Sequence, residues 1–325
     1  MTVTVRDRWN AVKGHPTTSM LVVLLGILLV FSLLSPNAFP TPGNARSILS
    51  DAAILLVVAI GSTYVIITAG IDLSVGSVLV FSSVVGAQTM ERLGAGPGSI
   101  ALGLLVSVIA GAAWGTLNGI LVAKARVPAF VVTLGTLGAA FGAALILTDG
   151  VDVRAVPPSL VEFGSGRVLG IPTLVLTAAL VAMVAGLALS ATVFGRHTYA
   201  IGANPESARR AGIDVERHLI AVYAVAGLLA GLAGFMSLAR YGTTTIAGQA
   251  TVNLQAITAV VIGGTSLFGG TGWVLGTAVG VFIPIVLRNG FIVQGVAPYW
   301  QYIAVGTVLV LAVFVDQRRR SRRLG

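Results

Sequence analysis

Asp72 is the acid around which any chemistry at membrane depth would be built in this chain. It stands in AGIDLSVGS (69–77), a glycine-bounded stretch between two long uncharged runs. An ionisable side chain inside an apolar pattern is costly and marks a pathway for an ion or polar solute. The competing reading is local, a carboxylate that accepts backbone N–H groups at a helix start. Gly70, Ser74 and Gly76 share that stretch. Asn118 and Thr133 lie among small residues on two later runs, and Asn253 and Gln255 open a short apolar segment that ends in GGTSLFGGTG, with Gly264 and Ser266. These hydroxyl, amide and carboxylate groups suit hydrogen bonding to a small polar solute. For Asn118 a bond to an adjacent helix is the alternative, and for Asn253 and Gln255 it is interfacial solvation.

A second cluster has the opposite character. Gly195–Arg217 reads GRHTYAIGANPESARRAGIDVER and separates two apolar runs, Ile171–Phe194 and Leu219–Ala239. Asn204 is placed to cap a helix, Pro205 suits its first position, and Glu206 lies in the first turn. Arg209 and Arg210 lie in the last turn, and Gly212 can end the helix in a left-handed conformation. About two turns of helix are marginal alone in water, so the charged face points to something that docks on it. The alternative is a capped surface helix with no partner.

Enzyme chemistry finds no constellation. The chain has two lysines, Lys13 and Lys124, neither within a phosphate-binding G-x-x-x-x-G-K-[ST] pattern, so ATP hydrolysis is not expected of this chain. There is no H-E-x-x-H. The histidines His15, His197 and His218 lie in or beside turn regions, and with no cysteine there is neither disulfide nor thiolate chemistry. No metal site and no bound cofactor are expected.

The elements that must position these residues are membrane helices. Of 325 residues 56% are hydrophobic and 10% charged, with mean hydropathy +0.95, against about 25% charged in a soluble domain. The apolar runs predict an all-α polytopic membrane protein with about ten spanning or partly spanning segments. The breaks at 69–77 and 263–272 read as discontinuous helices beside a pathway. Residues 1–17 form a lead, 18–316 a single transmembrane domain with the 195–217 loop inside it, and 317–325 a basic tail. The first apolar run, Thr18–Leu34, lacks a small-residue cleavage site in the following SPNAFPTPG and reads as a retained helix.

The other helices are expected at about Ile48–Thr68, Val75–Met90, Ser99–Ala123, Ala129–Thr148, Ile171–Phe194, Leu219–Ala239, Leu254–Phe268, Trp273–Ile292 and Tyr299–Asp316, with 149–171 as the longest outer connection. Both termini then lie in the cytoplasm. Arg6, Arg8, Lys13, Lys124, Arg126, Arg196, Arg209, Arg210, Arg217 and the arginines of 318–323 fall inside, as the positive-inside rule requires. The net charge of +9 is thus a topology signal near anionic lipid, not a sign of nucleic-acid binding. AGIDLSVG (69–76) and GGTSLFGG (263–270) share Gly70/Gly264, Leu73/Leu267 and Gly76/Gly270, a faint echo close to chance.

Four stretches, ITAGIDLSVGSVLVFSS (67–83), LNGILVAKARVPAFVVTLGTL (117–137), YAIGANPESARRAGIDV (199–215) and AITAVVIGGTSLFGGTGWVLGT (256–277), taken in order, resemble the permease subunits of bacterial ATP-binding cassette importers of the ribose/xylose/galactose type. The resemblance covers about Ile48–Asp316. It implies a cell-membrane subunit that moves a monosaccharide or small polyol. The implied partners are a second permease copy (identical or not), cytoplasmic ATP-binding subunits that hold the ATP, and an external sugar-binding protein. It also gives the 199–215 stretch the role of a coupling helix seated on the ATPase. Tyr64, Trp114, Phe130 and Trp300 are then candidates to stack a sugar ring, with packing as the alternative. The chain departs from the family's frequent E-L-x-A-I at Asn253, so the sugar is not read from the resemblance. Two other readings stay open: a permease of the same type for a nucleoside or branched-chain amino acid, and an autonomous secondary transporter.

Overall fold

A computed structural model describes residues 16–94, 96–247, 251–297, 299–300, 303–304, 306–308, 310, 313–314 and 317. Thirteen helices have bounds there: α1 Pro16–Leu34, α2 Pro42–Ile67, α3 Val75–Leu93, α4 Pro97–Ala123, α5 Ala129–Thr148, α6 Pro158–Ser165, α7 Thr173–Ala191, α8 Val193–Ala203, α9 Pro205–Arg210, α10 Val215–Tyr241, α11 Val252–Ile262, α12 Val274–Gly280 and α13 Phe282–Val293. Among the described residues six stretches are long and apolar enough to cross a membrane: α2, α4, α5, α7, α10 and α12–α13 taken together. Met20–Leu34 and α11 are shorter apolar helices. The expected tenth segment, Tyr299–Asp316, falls partly outside the described residues, and its described positions, 299–300, 303–304, 306–308, 310 and 313–314, are helical.

Local signals set most boundaries. Thr41 accepts the Asn44 N–H at 3.2 Å with Pro42 following, so α2 begins earlier than its apolar run. Pro97 starts α4, and α5 runs between Pro128 and a left-handed Asp149 (φ 50°). Two expectations need correction. The chain is mostly helical as expected, but the supposed loop 149–171 holds α6 and then a two-stranded antiparallel hairpin, β1 Arg167–Val168 and β2 Ile171–Pro172, which runs one residue past it. The supposed loop 195–217 is mostly helix, divided among α8, α9 and the first turn of α10. The expected ninth helix is present as one span, Val274–Val293, in which α12 and α13 meet at Val281 with helical dihedrals (φ −64°, ψ −23°).

The core forms around α2 and α10. Nearly all of α2 is enclosed, whereas α5 and α7 bury little of their surface within the chain. A lipid environment gives apolar side chains no reason to seek each other, so helices associate by close packing. The α4–α10 crossing follows that rule. The buried face of α4 is Ser99, Gly103, Ser107, Gly111, Gly115, Asn118, Gly119 and Ala123, a ridge of small residues at about four-residue spacing with no large apolar side chain. A methyl group added at Gly111 would stand 2.2 Å from the Gly227 oxygen, and one at Gly115 2.2 Å from the Tyr223 oxygen. Backbone lies on backbone there, which excludes any side chain.

Polar ties fasten one end of this bundle. Asp152 accepts from Thr244 Oγ1 and from the Ile246 N–H, both at 2.9 Å, Arg240 pairs with Asp51 at 3.0 Å, and Asn44 and Asn289 exchange amide bonds at 2.9 and 2.8 Å. The other end carries Ile67, α9 and the start of α10, where the residues with candidate chemistry gather.

Candidate functional site

The first break opens where α2 stops. Ala69 adopts a left-handed conformation (φ 61°), its N–H bonds to Ile66 O at 2.9 Å, and the Gly70 N–H reaches back to Val65 O at 3.0 Å. This is a Schellman turn with alanine where glycine is usual, a strain of roughly 1–2 kcal/mol. The chain then runs without helix to Ser74. Asp72 is buried, and its Oδ1 accepts from both the backbone N–H (2.8 Å) and the hydroxyl (2.6 Å) of Ser74. The cap position of α3 belongs to Ser74, and Asp72, two residues before it, closes a local turn onto it.

Four other helices reach this break. Asn118 of α4 donates to Ser74 Oγ at 2.8 Å, Thr133 of α5 to Ile71 O at 3.2 Å, and Asn253 of α11 to Leu73 O at 3.1 Å. Tyr223 of α10 puts its hydroxyl over Gly70, where an added methyl would be 2.7 Å away. The Tyr223 hydroxyl and Asn118 Oδ1 are buried without a hydrogen-bond partner among the described residues, which is rare for buried polar atoms. Of the expected pathway residues, Gly70, Asp72, Ser74, Asn118, Thr133 and Asn253 thus form one cluster. Gly76 is buried in the first turn of α3, and Gln255 donates to Oγ1 of Thr251, the N-cap of α11, at 3.0 Å. In this conformation Ser74 is fully buried and Ser266 half-buried. The aromatic candidates are spread widely. The Tyr64 hydroxyl binds Ala185 O at 2.5 Å, Trp114 packs edge-on against Phe81, and Phe130 and Trp300 are exposed.

If Asp72 acts through its oxygen rather than its charge, Asp72→Asn should keep thermal stability in detergent close to that of the parent chain. Asp72→Ala should lower it, since each buried donor left unpaired costs about 1–3 kcal/mol. Equal losses for both variants would assign the role to the charge.

The second break is built alike. After α11, Gly264 is left-handed (φ 89°), its N–H meets Val261 O at 3.0 Å, and the Thr265 N–H returns to Val260 O at 3.2 Å. The left-handed residues are Ala69 and Gly264, whereas the sequence echo pairs Gly70 with Gly264, so the echo does not carry turn onto turn. From Ser266 the chain turns through Gly269 and Gly270, both left-handed, and the Gly270 N–H donates to Ile67 O at 2.9 Å. The two breaks are thus joined backbone to backbone.

The short charged helix stands beside them. Asn204 Oδ1 accepts the Ser207 N–H at 2.9 Å, Pro205 is first in the helix, and Gly212 (φ 84°) closes α9 with Ile213 N–H to Ala208 O at 3.1 Å. Glu206 pairs with both Arg209 and Arg210 at 3.3 Å on the exposed face. Ala208 anchors the other face against Ile201 and Val215. Asn204 is at once the C-cap of α8 and the N-cap of α9, so the two helices share one capping residue.

Sequence reasoning missed Tyr199, Gly202 and Tyr223. Tyr199 donates to Gly272 O at 2.7 Å, and Gly202 lies on Ile67 O so closely that an added methyl would be 1.7 Å away. Tyr199 and Gly202 stand inside a stretch singled out for its charges, while Tyr223 is one polar tip in a long apolar run.

Comparison with known proteins places this arrangement. Residues 44–313 match the family model described as branched-chain amino acid transport system / permease component. The chain is 39% identical over 308 residues to the ribose import permease protein of Escherichia coli K12, covering 92% of this chain and 93% of that one. It is 36% identical over 313 residues to the fructose import permease protein of Rhizobium meliloti (94% and 86% covered) and 32% over 330 residues to the galactose/methyl galactoside import permease protein of Haemophilus influenzae (97% of each). No solved structure matches the chain. With membrane-length helices, two joined breaks and a capped charged helix in one body, and a family match over most of its length, the chain belongs to the permease-component family of branched-chain amino acid type transport systems.

Proposed function

We propose that this chain is the membrane-spanning permease subunit of an ATP-binding cassette importer that moves a monosaccharide or small polyol across the cell membrane. The observation that carries this is the 32–39% identity to permeases named for ribose, fructose, allose and galactose, spread over nine-tenths of the chain. The family description alone keeps a branched-chain amino acid as second reading. Ten passes with both termini in the cytoplasm are the topology that agrees with the placement of lysine and arginine. The transmembrane domain is 18–316, flanked by the lead 1–17 and the basic tail 317–325.

In this reading Asn204, Pro205, Glu206, Arg209, Arg210 and Gly212 dock on a cytoplasmic ATP-binding subunit. An external binding protein delivers the sugar, and a second permease copy, identical or not, completes the channel. ATP is bound by the partner, and this chain carries out no catalysis of its own. The route runs by Gly70, Asp72, Ser74, Gly76, Asn118, Thr133, Asn253, Gln255, Gly264 and Ser266. Non-helical backbone at membrane depth is tolerated only inside protein or beside water, and the buried partnerless oxygens of Asn118 and Tyr223 are the groups a passing hydroxyl would satisfy.

The test is reconstitution with the ATP-binding subunit and the binding protein in proteoliposomes, scored with radiolabelled D-ribose, D-fructose, D-allose, D-galactose and L-leucine. ATP-dependent uptake of a sugar, and no ATP hydrolysis by the chain alone, is the expected result. Accumulation by the chain alone without ATP would assign it to secondary transport, and uptake of leucine alone would move it to the second reading.

A further inference from the structure

The end of α8 lies between the docking helix and both breaks, and it touches both. Within four residues, Tyr199 bonds the second break at Gly272 O (2.7 Å), and Gly202 presses its Cα against the first break at Ile67 O. A methyl at Gly202 would also stand 2.6 Å from the Gly270 nitrogen, and one at Gly270 3.1 Å from the Ala203 Cα. Ala69 completes the junction, since a methyl at Gly269 would be 2.8 Å from its Cβ. Three chain segments, Ile67–Ala69, Gly202–Ala203 and Gly269–Gly272, thus meet through backbone with almost no side chain between them. The next residue after Ala203 is Asn204, the cap of α9.

We propose that Tyr199 and Gly202 are positioning residues that hand any displacement of the 205–210 helix directly to both breaks, rather than through the long helices α7 and α10 that flank it. The inference rests on the reading of 205–210 as the helix docked on the ATP-binding subunit. Close-packed backbone has little compliance. A tilt of α9 therefore moves Ala203 and Gly202, and with them Ile67 and Gly270, which are themselves bonded to each other. Gly202 permits the approach, and the Tyr199 hydroxyl keeps the second break from sliding along it. One displaced element then acts on two breaks at once, the requirement for opening a route that both of them line.

The experiment uses the assembled transporter in proteoliposomes, first scored for which labelled sugar the parent complex takes up. Tyr199→Phe removes one hydroxyl from a site already built to hold the ring. The ATP-binding subunit should still co-purify, and binding-protein-stimulated ATP hydrolysis should stay near the parent rate. Sugar moved per ATP should fall about five-fold, the scale of one lost hydrogen bond. The chain has no cysteine, so Ala203→Cys with Gly270→Cys can then be added as a reversible tether across the same junction. Oxidation of that pair should return sugar moved per ATP toward the parent value in the Tyr199→Phe background, and reduction should abolish the gain. An unchanged ratio in Tyr199→Phe, or a tether that blocks uptake when oxidised, would overturn the proposal. Absence of ATP-driven uptake by the parent complex would instead strike the importer reading beneath it.

Discussion

Leucine in place of Gly227 should leave no monodisperse protein after detergent extraction. Gly227 sits where α10 crosses α4, and an added methyl would already be 2.2 Å from Gly111 O and 2.8 Å from the Gly115 Cα and nitrogen. Those are backbone atoms of a 27-residue helix, so no rotamer change relieves the clash. The helices must separate along a face that has no large side chain to fill the gap. Overpacking of a well-packed core costs about 1–3 kcal/mol and occasionally more, and backbone contact puts this site beyond the upper end. Gly227→Ala should be intermediate. Gly26, with nothing within 4 Å among the described residues, is the control. Alanine there should be neutral or stabilising by about 0.5–1 kcal/mol, the helix-propensity gain. Size-exclusion profiles and thermal melts of the three variants check this, and a normal profile for Gly227→Leu would mean that α4 and α10 do not cross as described.

Reversal of both Arg209 and Arg210 to glutamate should cut ATP-driven sugar uptake about ten-fold or more, with loss of the ATP-binding subunit on co-purification. In the parent chain each arginine pairs with Glu206. The pairs are solvent-exposed, and such pairs are each worth at most about 1 kcal/mol, so they leave the guanidinium groups free to exchange partners on docking. After reversal, one six-residue helix carries three acids at i, i+3 and i+4, and two of them oppose the dipole at its C-terminal end. The Asn204 cap and the buried Ala208 still hold the backbone to α8 and α10, so membrane insertion should be unaffected. Unchanged uptake together with unchanged co-purification would make 205–210 a surface helix without a partner.

Asp72 and α8 mark the limits of what could be read from the chain alone. The acid was rightly singled out as buried, and beside its two readings, pathway charge and helix cap, stands a local role that the sequence did not show, a turn closed on Ser74. That turn depends on Asn118 holding the Ser74 hydroxyl from another helix, an interaction with no sequence spacing of its own. The 195–217 stretch was likewise legible at α9, yet its first half read as loop. Arg196, His197 and Thr198 broke the apolar pattern, while the helix there is sustained by contacts with both breaks and with His218, whose Nε2 lies 2.9 Å from Thr198 Oγ1.

By itself the sequence determined the membrane class, the 129–148 helix with its two ends, the capped helix at 205–210 with Gly212 as its stop, and the positions of both breaks. Each of these depends on interactions within about four residues or on the length of an apolar run, and both leave a readable period. Only the tertiary structure decided that Ile67, Gly202 and Gly270 share one junction, that Tyr199 spans to Gly272, and that the small residues of α4 lie on Gly227. Those contacts join backbone groups distant in the chain. At such a site the sequence records only a glycine, and a glycine that admits another backbone cannot be told by pattern from one that makes a turn.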